Sequence, residues 1–269
     1  MSLRIQNNVE ALTAHRQLSG TSERLRKSME RLSSGYRINK AADDAAGLAI
    51  SERMRAQIRG LAQAQRNAQD AVSMVQTAEG ALSEVHAMLQ RVRELAVQYR
   101  NGTLSASNRL SIQSEVDQLY AEIQRIAQSS QFNGITLLAA TGVVTFQVGA
   151  NDGEVITVST LDLVGALGTA AFSLNIANTQ DLSEIDQALD VVSAQRAQLG
   201  AVQNRLEHLL NSIAIYHENL VAAESRIRDL DMAEEAVELT KLQVLQQAGT
   251  AMLAQANQSN SSVLQLLRG

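Results

Sequence analysis

Apolar residues recur along this chain at helical spacing, over long stretches with few interruptions. In residues 2–31 and just beyond, Ile5, Val9, Leu12, Leu18, Leu25, Met29 and Leu32 stand mostly three, four or seven apart, the repeat of an amphipathic or coiled-coil helix. From Ala45 to about Tyr99 the only breakers are Gly60 and Gly80, and residues from Leu48 through Leu61, Val75 and Leu89 to Leu95 hold the helical phase. At about 1.5 Å per residue such a helix runs roughly 80 Å, too long for a compact globule. Asn101 and Gly102 end it. A third helix is expected over residues 107–129, with Ile112, Val116, Leu119, Ile123 and Ile126 on one face.

A fourth helix, residues 181–228, matches the second in length, so the two can pair antiparallel. The last, residues 231–267, has the most regular heptad. Leu242, Leu245, Gly249, Met252, Ala256, Ser259, Val263 and Leu266 alternate steps of three and four. Its middle is small. At about 25 cal/mol per Å² of apolar surface, so little area does not hold a helix by itself. Between the third and fourth helices, residues 136–176 change period. "VVTFQVGANDGEVITVS" sets β-branched residues on both sides of Asn151, Asp152 and Gly153, a hairpin signal. The Gly- and Thr-rich stretch after it is read as irregular, with one more short strand.

"SSGYRINKAADDAAGLAIS" then reads as a break between two helices. Gly35 can end the first in a left-handed conformation, and Asp43 or Asp44 can cap the next. A matching break is expected at residues 228–231. Residues 1–43 and 230–269 are thus expected to form one domain of paired terminal helices. Residues 44–229 form a second, a helical bundle carrying the hairpin. The fold class is mainly α: an elongated antiparallel long-helix bundle with a β-hairpin, plus paired N- and C-terminal coiled-coil helices. Both ends need partners, which points to self-association.

Composition fits thin bundles. Of 269 residues only 3% are aromatic, Pro and Cys are absent, and net charge is -5. Without Cys there is no disulfide, thiol nucleophile or Cys-based metal site. The charge balance gives no ground for nucleic-acid binding, and no apolar run is long enough for membrane insertion. The N-terminus lacks the apolar region of a cleaved secretory signal. His15, His86, His208 and His217 make no metal motif, and no nucleophile constellation is present. The chain reads as a non-enzyme without cofactors.

The chain resembles the bacterial flagellins, subunits of the flagellar filament. The resemblance rests on "RLSSGYRINKAADDAAGLAISERMRAQIRGL", "QRVRELAVQ", "SQFNGITLL" and "FQVGANDGE", and later on "AESRIRDLDMAEE" and "SNSSVLQLLRG". It covers nearly the whole chain. Alternatives are a hook–filament junction protein, which shares the terminal helices, and a soluble signalling coiled coil. The resemblance implies an extracellular subunit of a helical homopolymer, exported without a cleaved signal by the flagellar type III apparatus. It implies contacts with hook-associated junction and cap proteins and with an export chaperone. The short segment before the fourth helix implies a minimal form without outer domains. By the same resemblance, Arg91, Leu95 and Glu115 are expected to form a contact for a neighbouring subunit and for the host Toll-like receptor 5. Leu264, Leu266 and Leu267 match leucines read by cytosolic sensors.

Overall fold

The computed structural model describes residues 8–168, 172–174 and 181–266, with side chains for all of these except 181 and 259–266. The helices are α1 (Val9–Ser34), α2 (Ala45–Tyr99), α3 (Ala106–Ser129), α4 (Leu163–Leu167), α5 (Asp181–Arg228) and α6 (Met232–Leu266). The strands are β1 (Gln131–Phe132), β2 (Ile135–Thr136), β3 (Gly142–Gln147) and β4 (Val155–Thr160). The chain divides into two compact units. One comprises Met1–Ala56 and Leu220–Gly269, the other Gln57–Asn219. The division falls within α2 and α5, so Gly35, Asp43 and Asp44 all belong to the first unit.

The second unit buries an aliphatic core. α2 contributes Ala71, Val75, Leu82, Val85, Leu89 and Val92; α3 contributes Val116 and Ile123; α5 contributes Ile185, Val192 and Leu206. Steps of three and four keep these on one face of each helix, as the periodicity predicts. Aliphatic and alanine side chains let long helices lie side by side, which explains how a core forms with so few aromatics. α2 and α5 run antiparallel here, linked by Arg93 to Asp186 at 2.6 Å and by Arg196 to Glu79 at 3.8 Å.

β3 and β4 pair antiparallel in a register that includes Thr145 with Thr157 and Phe146 with Ile156. Ile156 and Val158 are buried while their neighbours along β4 face solvent, the alternation of a half-buried strand. In the connecting loop Gly153 takes φ +84°, and the Glu154 carboxylate accepts from the Asn151 backbone N–H and side-chain amide, both at 3.0 Å. Asn151, Asp152 and Gly153 thus build a self-contained turn. The loop returns onto α2 at Gly60, where an added Cβ would stand 3.1 Å from the Ala150 Cβ. Asn67 donates to the Gln147 carbonyl at 2.8 Å beside it.

Two local features were not expected from the periodicity. The stretch after β4 holds no further strand among the described residues. It holds the short helix α4, because the Asp162 carboxylate accepts the Gly165 N–H at 3.0 Å and caps a turn whose Leu163 and Leu167 are buried. The end of α3 is also more than a stop. Asn133 (φ 49°) and Gly134 (φ 81°) make a two-residue turn joining β1 to β2. Further along, Gln113 holds residues 172–174 at both ends. Its amide donates to the Phe172 carbonyl at 2.8 Å, and its carbonyl accepts the Leu174 N–H at 3.1 Å.

Candidate functional site

Two breaks in the first unit are joined to one another. α1 ends where Gly35 takes φ 73° and returns its N–H to the Arg31 carbonyl. α5 ends at Arg228. The two chain segments then pair as an antiparallel bridge between Tyr36 and Asp229. Arg37 N–H donates to the Arg228 carbonyl at 2.7 Å, and Leu230 N–H to the Gly35 carbonyl at 3.0 Å. The Arg55 and Arg228 guanidinium groups each lie over the Tyr36 ring, 5.1 and 4.9 Å from its centroid. Glu224 and Glu52 pair with those arginines at 2.8 and 2.6 Å. A backbone bridge, a cation–π stack and two ion pairs therefore hold the turn from α1 to α2 against the turn from α5 to α6.

Asp43 and Asp44 divide the work at this joint. Asp44 caps α2, accepting the Gly47 N–H at 2.8 Å. Asp43 braces the preceding turn. Its carboxylate meets the Lys27 ammonium at 2.6 Å and accepts the Lys40 and Asn39 N–H groups at 3.1 and 3.2 Å. Chiefly the Lys27 bond, and then the backbone donors, lower its pKa from 3.8 to about 2. The folded value lies below the free one, so the contribution is present above about pH 4 and is lost as pH falls toward about 2. Because the Lys27 side chain is 48% exposed, solvent screening keeps its size to about 1 kcal/mol. Asp43→Asn should remove that part of the acid dependence, measured as the change in helix melting between pH 5 and pH 2.5.

α1 and α6 run antiparallel. Asn8 donates to the Ala256 carbonyl at 3.0 Å, and Arg31 meets Glu235 at 3.7 Å. Between these ends an added Cβ at Gly249 would stand 3.2 Å from Leu18 Cδ1, so the missing side chain sets the closeness of the helices. On α1 the covered row is Ala11, Ala14, Leu18, Thr21, Leu25, Ser28 and Leu32, an unbroken alternation of three and four. On α6 it is Leu242, Gln246, Gly249, Leu253 and Ala256.

One row of the α6 heptad is filled within the chain. Leu242, Gly249 and Ala256 face α1, whereas Leu245 and Met252 do not. They are 47% and 66% exposed. A heptad has two apolar rows, and α1 covers the row that holds Leu242 and Gly249. The other row opens into a groove of about 770 Å³ floored by Ala14, Leu18 and Gly249 and walled by Val9, Leu245 and Met252. Val237 and Val244 continue the exposed apolar strip toward the start of α6. Val263, Leu264 and Leu266 lie on the α6 backbone, beyond the described side chains, and Leu267 lies outside the described residues.

In the second unit, the structure brings Arg91 and Glu115 together across α2 and α3 at 2.8 Å, with Glu94 also on Arg91 at 3.1 Å. Leu95 is not part of that exposed cluster. It is 2% exposed and packs in the core. Position 95 is one helical turn from 91, but the intervening 40° carries it from the rim of the helix to its buried stripe. Among the described residues, no group of three His, Cys, Asp or Glu is placed to hold a metal ion, and no helix is long and apolar enough to cross a membrane.

Comparison with known proteins places the chain among filament subunits. Residues 5–142 match the bacterial flagellin N-terminal helical region, and residues 182–267 match the C-terminal helical region. A flagellin of Halalkalibacterium halodurans is 52% identical over 98% of this chain and 99% of its own length. A flagellin of Bacillus subtilis is 48% identical over 99% of this chain and all of its own length. A flagellar filament 33 kDa core protein of Treponema phagedenis is 47% identical over 98% of this chain and 99% of its own length. The crystal structure of Bacillus cereus flagellin aligns with 55% of this chain and 88% of its own, at 32% identity and a TM-score of 0.50.

Proposed function

The chain belongs to the bacterial flagellin family, and on that premise we propose that its unfilled α6 row is the surface on which one copy holds the next. As a flagellin it is a structural subunit of the flagellar filament, an extracellular appendage, and it polymerises with itself. The single observation that carries the finer reading is the exposed Leu245–Met252 row beside an α1–α6 pair that is already closed on its other side.

A heptad row left without a partner in one chain is satisfied by a second. Contacts between unlike faces of identical chains do not close on themselves and so generate an open helical polymer. The groove's small and aliphatic members, Val9, Ala14, Leu18, Leu245, Gly249 and Met252, suit close helix approach, with Gln17 and Gln255 among its polar members. The turns at Tyr36 and Asp229 would hold the α1 and α6 ends of the first unit together, so that each copy presents the same groove. Residues 1–43 and 230–269 would then act as the assembly domain and residues 44–229 as the bundle with the hairpin. Junction and cap proteins would meet this same groove at the two ends of the polymer. An export chaperone would cover α6 before secretion, which would proceed without a cleaved signal.

The test is seeded growth, followed by sedimentation and electron microscopy. The full chain should elongate seeds, and chains lacking residues 1–32 or 240–269 should stay soluble. Normal filaments from either truncation would contradict the reading.

A second reading concerns a host partner and rests on the Arg91–Glu115 pair. We propose that this exposed pair, without Leu95, contributes to recognition of free monomers by Toll-like receptor 5. The three terminal leucines are retained as a proposed contact for cytosolic sensors.

A further inference from the structure

We propose that Met252 is a peroxide-sensitive control point for assembly, at which conversion to the sulfoxide makes a free subunit unable to enter the polymer. The inference rests on the reading of the α1–α6 groove as the surface between copies.

The sequence has seven methionines, and their environments differ sharply. Met74 is 1% exposed in the core of the second unit. Met29, Met232 and Met252 are each more than half exposed, and Met252 is the most open of the three. It alone among these lines the groove, together with Val9, Ala14 and Leu245. Its thioether is therefore open to small oxidants in the free chain and set within the surface that a second copy would cover.

The chemistry needs only a hydroperoxide. A lone pair on the Met252 sulfur attacks one peroxide oxygen and forms the S–O bond as the O–O bond breaks. The other oxygen leaves as hydroxide, takes the proton displaced from the transferred oxygen and departs as water. Sulfur is oxidised by two electrons and the peroxide is reduced by two. The product is a polar, chiral sulfoxide on a side chain that was apolar and flexible. In the free chain its oxygen is hydrated, so the fold is undisturbed. In the groove, whose exposed surface is mostly apolar and whose polar side chains are Glu10, Thr13, Gln17, Thr21 and Gln255, it must shed much of that water. Once a neighbour covers the groove, peroxide no longer reaches the sulfur. The device thus acts on subunits before incorporation and spares the finished polymer. Methionine sulfoxide reductase chemistry reverses it.

The experiment treats the full-length chain with hydrogen peroxide until about half of Met252 is oxidised. Seeded growth follows, and the sulfoxide fraction at each methionine is measured by mass spectrometry in sedimented polymer and in supernatant. The expected result is about tenfold depletion of Met252 sulfoxide from the polymer, equivalent to about 1.4 kcal/mol. Met74 should stay unoxidised and serve as the indicator of an intact fold. A chain carrying Met29→Leu and Met232→Leu should lose assembly on peroxide treatment to the same extent as the parent, and reductase treatment should restore it. Equal Met252 sulfoxide in polymer and supernatant would overturn the proposal, as would protection by the Met29→Leu, Met232→Leu pair. Failure of the underlying groove reading is separately visible. Unoxidised Leu245→Asp chains would then still elongate seeds.

Discussion

Leu245→Asp or Met252→Asp should abolish seeded filament growth while leaving the free subunit folded. Both side chains are exposed in the single chain, and a carboxylate there keeps most of its hydration. The helicity and melting of the free protein should therefore change little. In the polymer the same carboxylate would enter a mostly apolar groove whose lining holds a carboxylate, Glu10, and no cation. Burying an unpaired charge costs several kcal/mol, and 4 kcal/mol is about a thousandfold in an association constant. Leu242→Asp provides the contrast. Leu242 is buried against α1 within one chain, so its replacement should damage the free subunit as well. Circular dichroism and sedimentation of the three variants separate the two rows of the heptad. Equal loss of helix in the Leu245 and Leu242 variants would show that both rows serve the single chain.

Leu95→Ala should be the most destabilising change in the proposed receptor cluster, for a reason unrelated to any receptor. Its side chain is enclosed in the α2–α3–α5 core, and truncating a buried leucine costs about 3–4 kcal/mol from lost transfer energy and the cavity left behind. Thermal melting of the second unit should fall by several degrees. Arg91→Ala and Glu115→Ala remove an ion pair whose partners are each about half exposed, at 49% and 45%. Such a pair is worth less than about 1 kcal/mol. Those two variants should melt like the parent, and on the receptor reading they should signal weakly in a reporter assay. Wild-type signalling by both, at matched folding, would remove Arg91 and Glu115 from the receptor contact. Reduced signalling by Leu95→Ala is informative only alongside its melting curve.

The long elements were legible because period is a property of sequence. α2 and α5 span the expected residues 45–99 and 181–228, since nothing in either run competes with helix. The hairpin was legible from one turn, where Asn151, Gly153 and Glu154 form a closed set of hydrogen bonds. α4 was not, because its cause is a single cap. Asp162 holds one turn in a Gly- and Thr-bearing stretch without helical periodicity. The exposure of Leu245 and Met252 in the single chain was illegible for a different reason. Heptad spacing marks two apolar rows without saying which neighbour fills each, and the spacing of Leu242, Leu245, Gly249 and Met252 is the same whether one partner or two are present. On α1 the misreading ran the other way. Ala11, Ala14, Thr21 and Ser28 form the covered row together with three leucines, and small or hydroxyl-bearing residues carry little weight in an apolar count. Leu95 illustrates the limit of helix-face arguments. A step of four keeps two residues adjacent but does not keep both on the solvent side.

The joint was legible in outline. Gly35, Asp44 and the break at residues 228–231 announce helix ends. Their union through Tyr36, Arg55 and Arg228 needs the backbone bridge to bring distant residues together, and no local pattern encodes it.

The most direct test of the central claim is a reconstruction of the filament at side-chain resolution, read at Leu245 and Met252. A neighbouring copy seated in the α1–α6 groove, with both side chains buried against it, is the expected result. Leu245 and Met252 facing solvent or the open channel, with the contacts between copies made elsewhere, would contradict it.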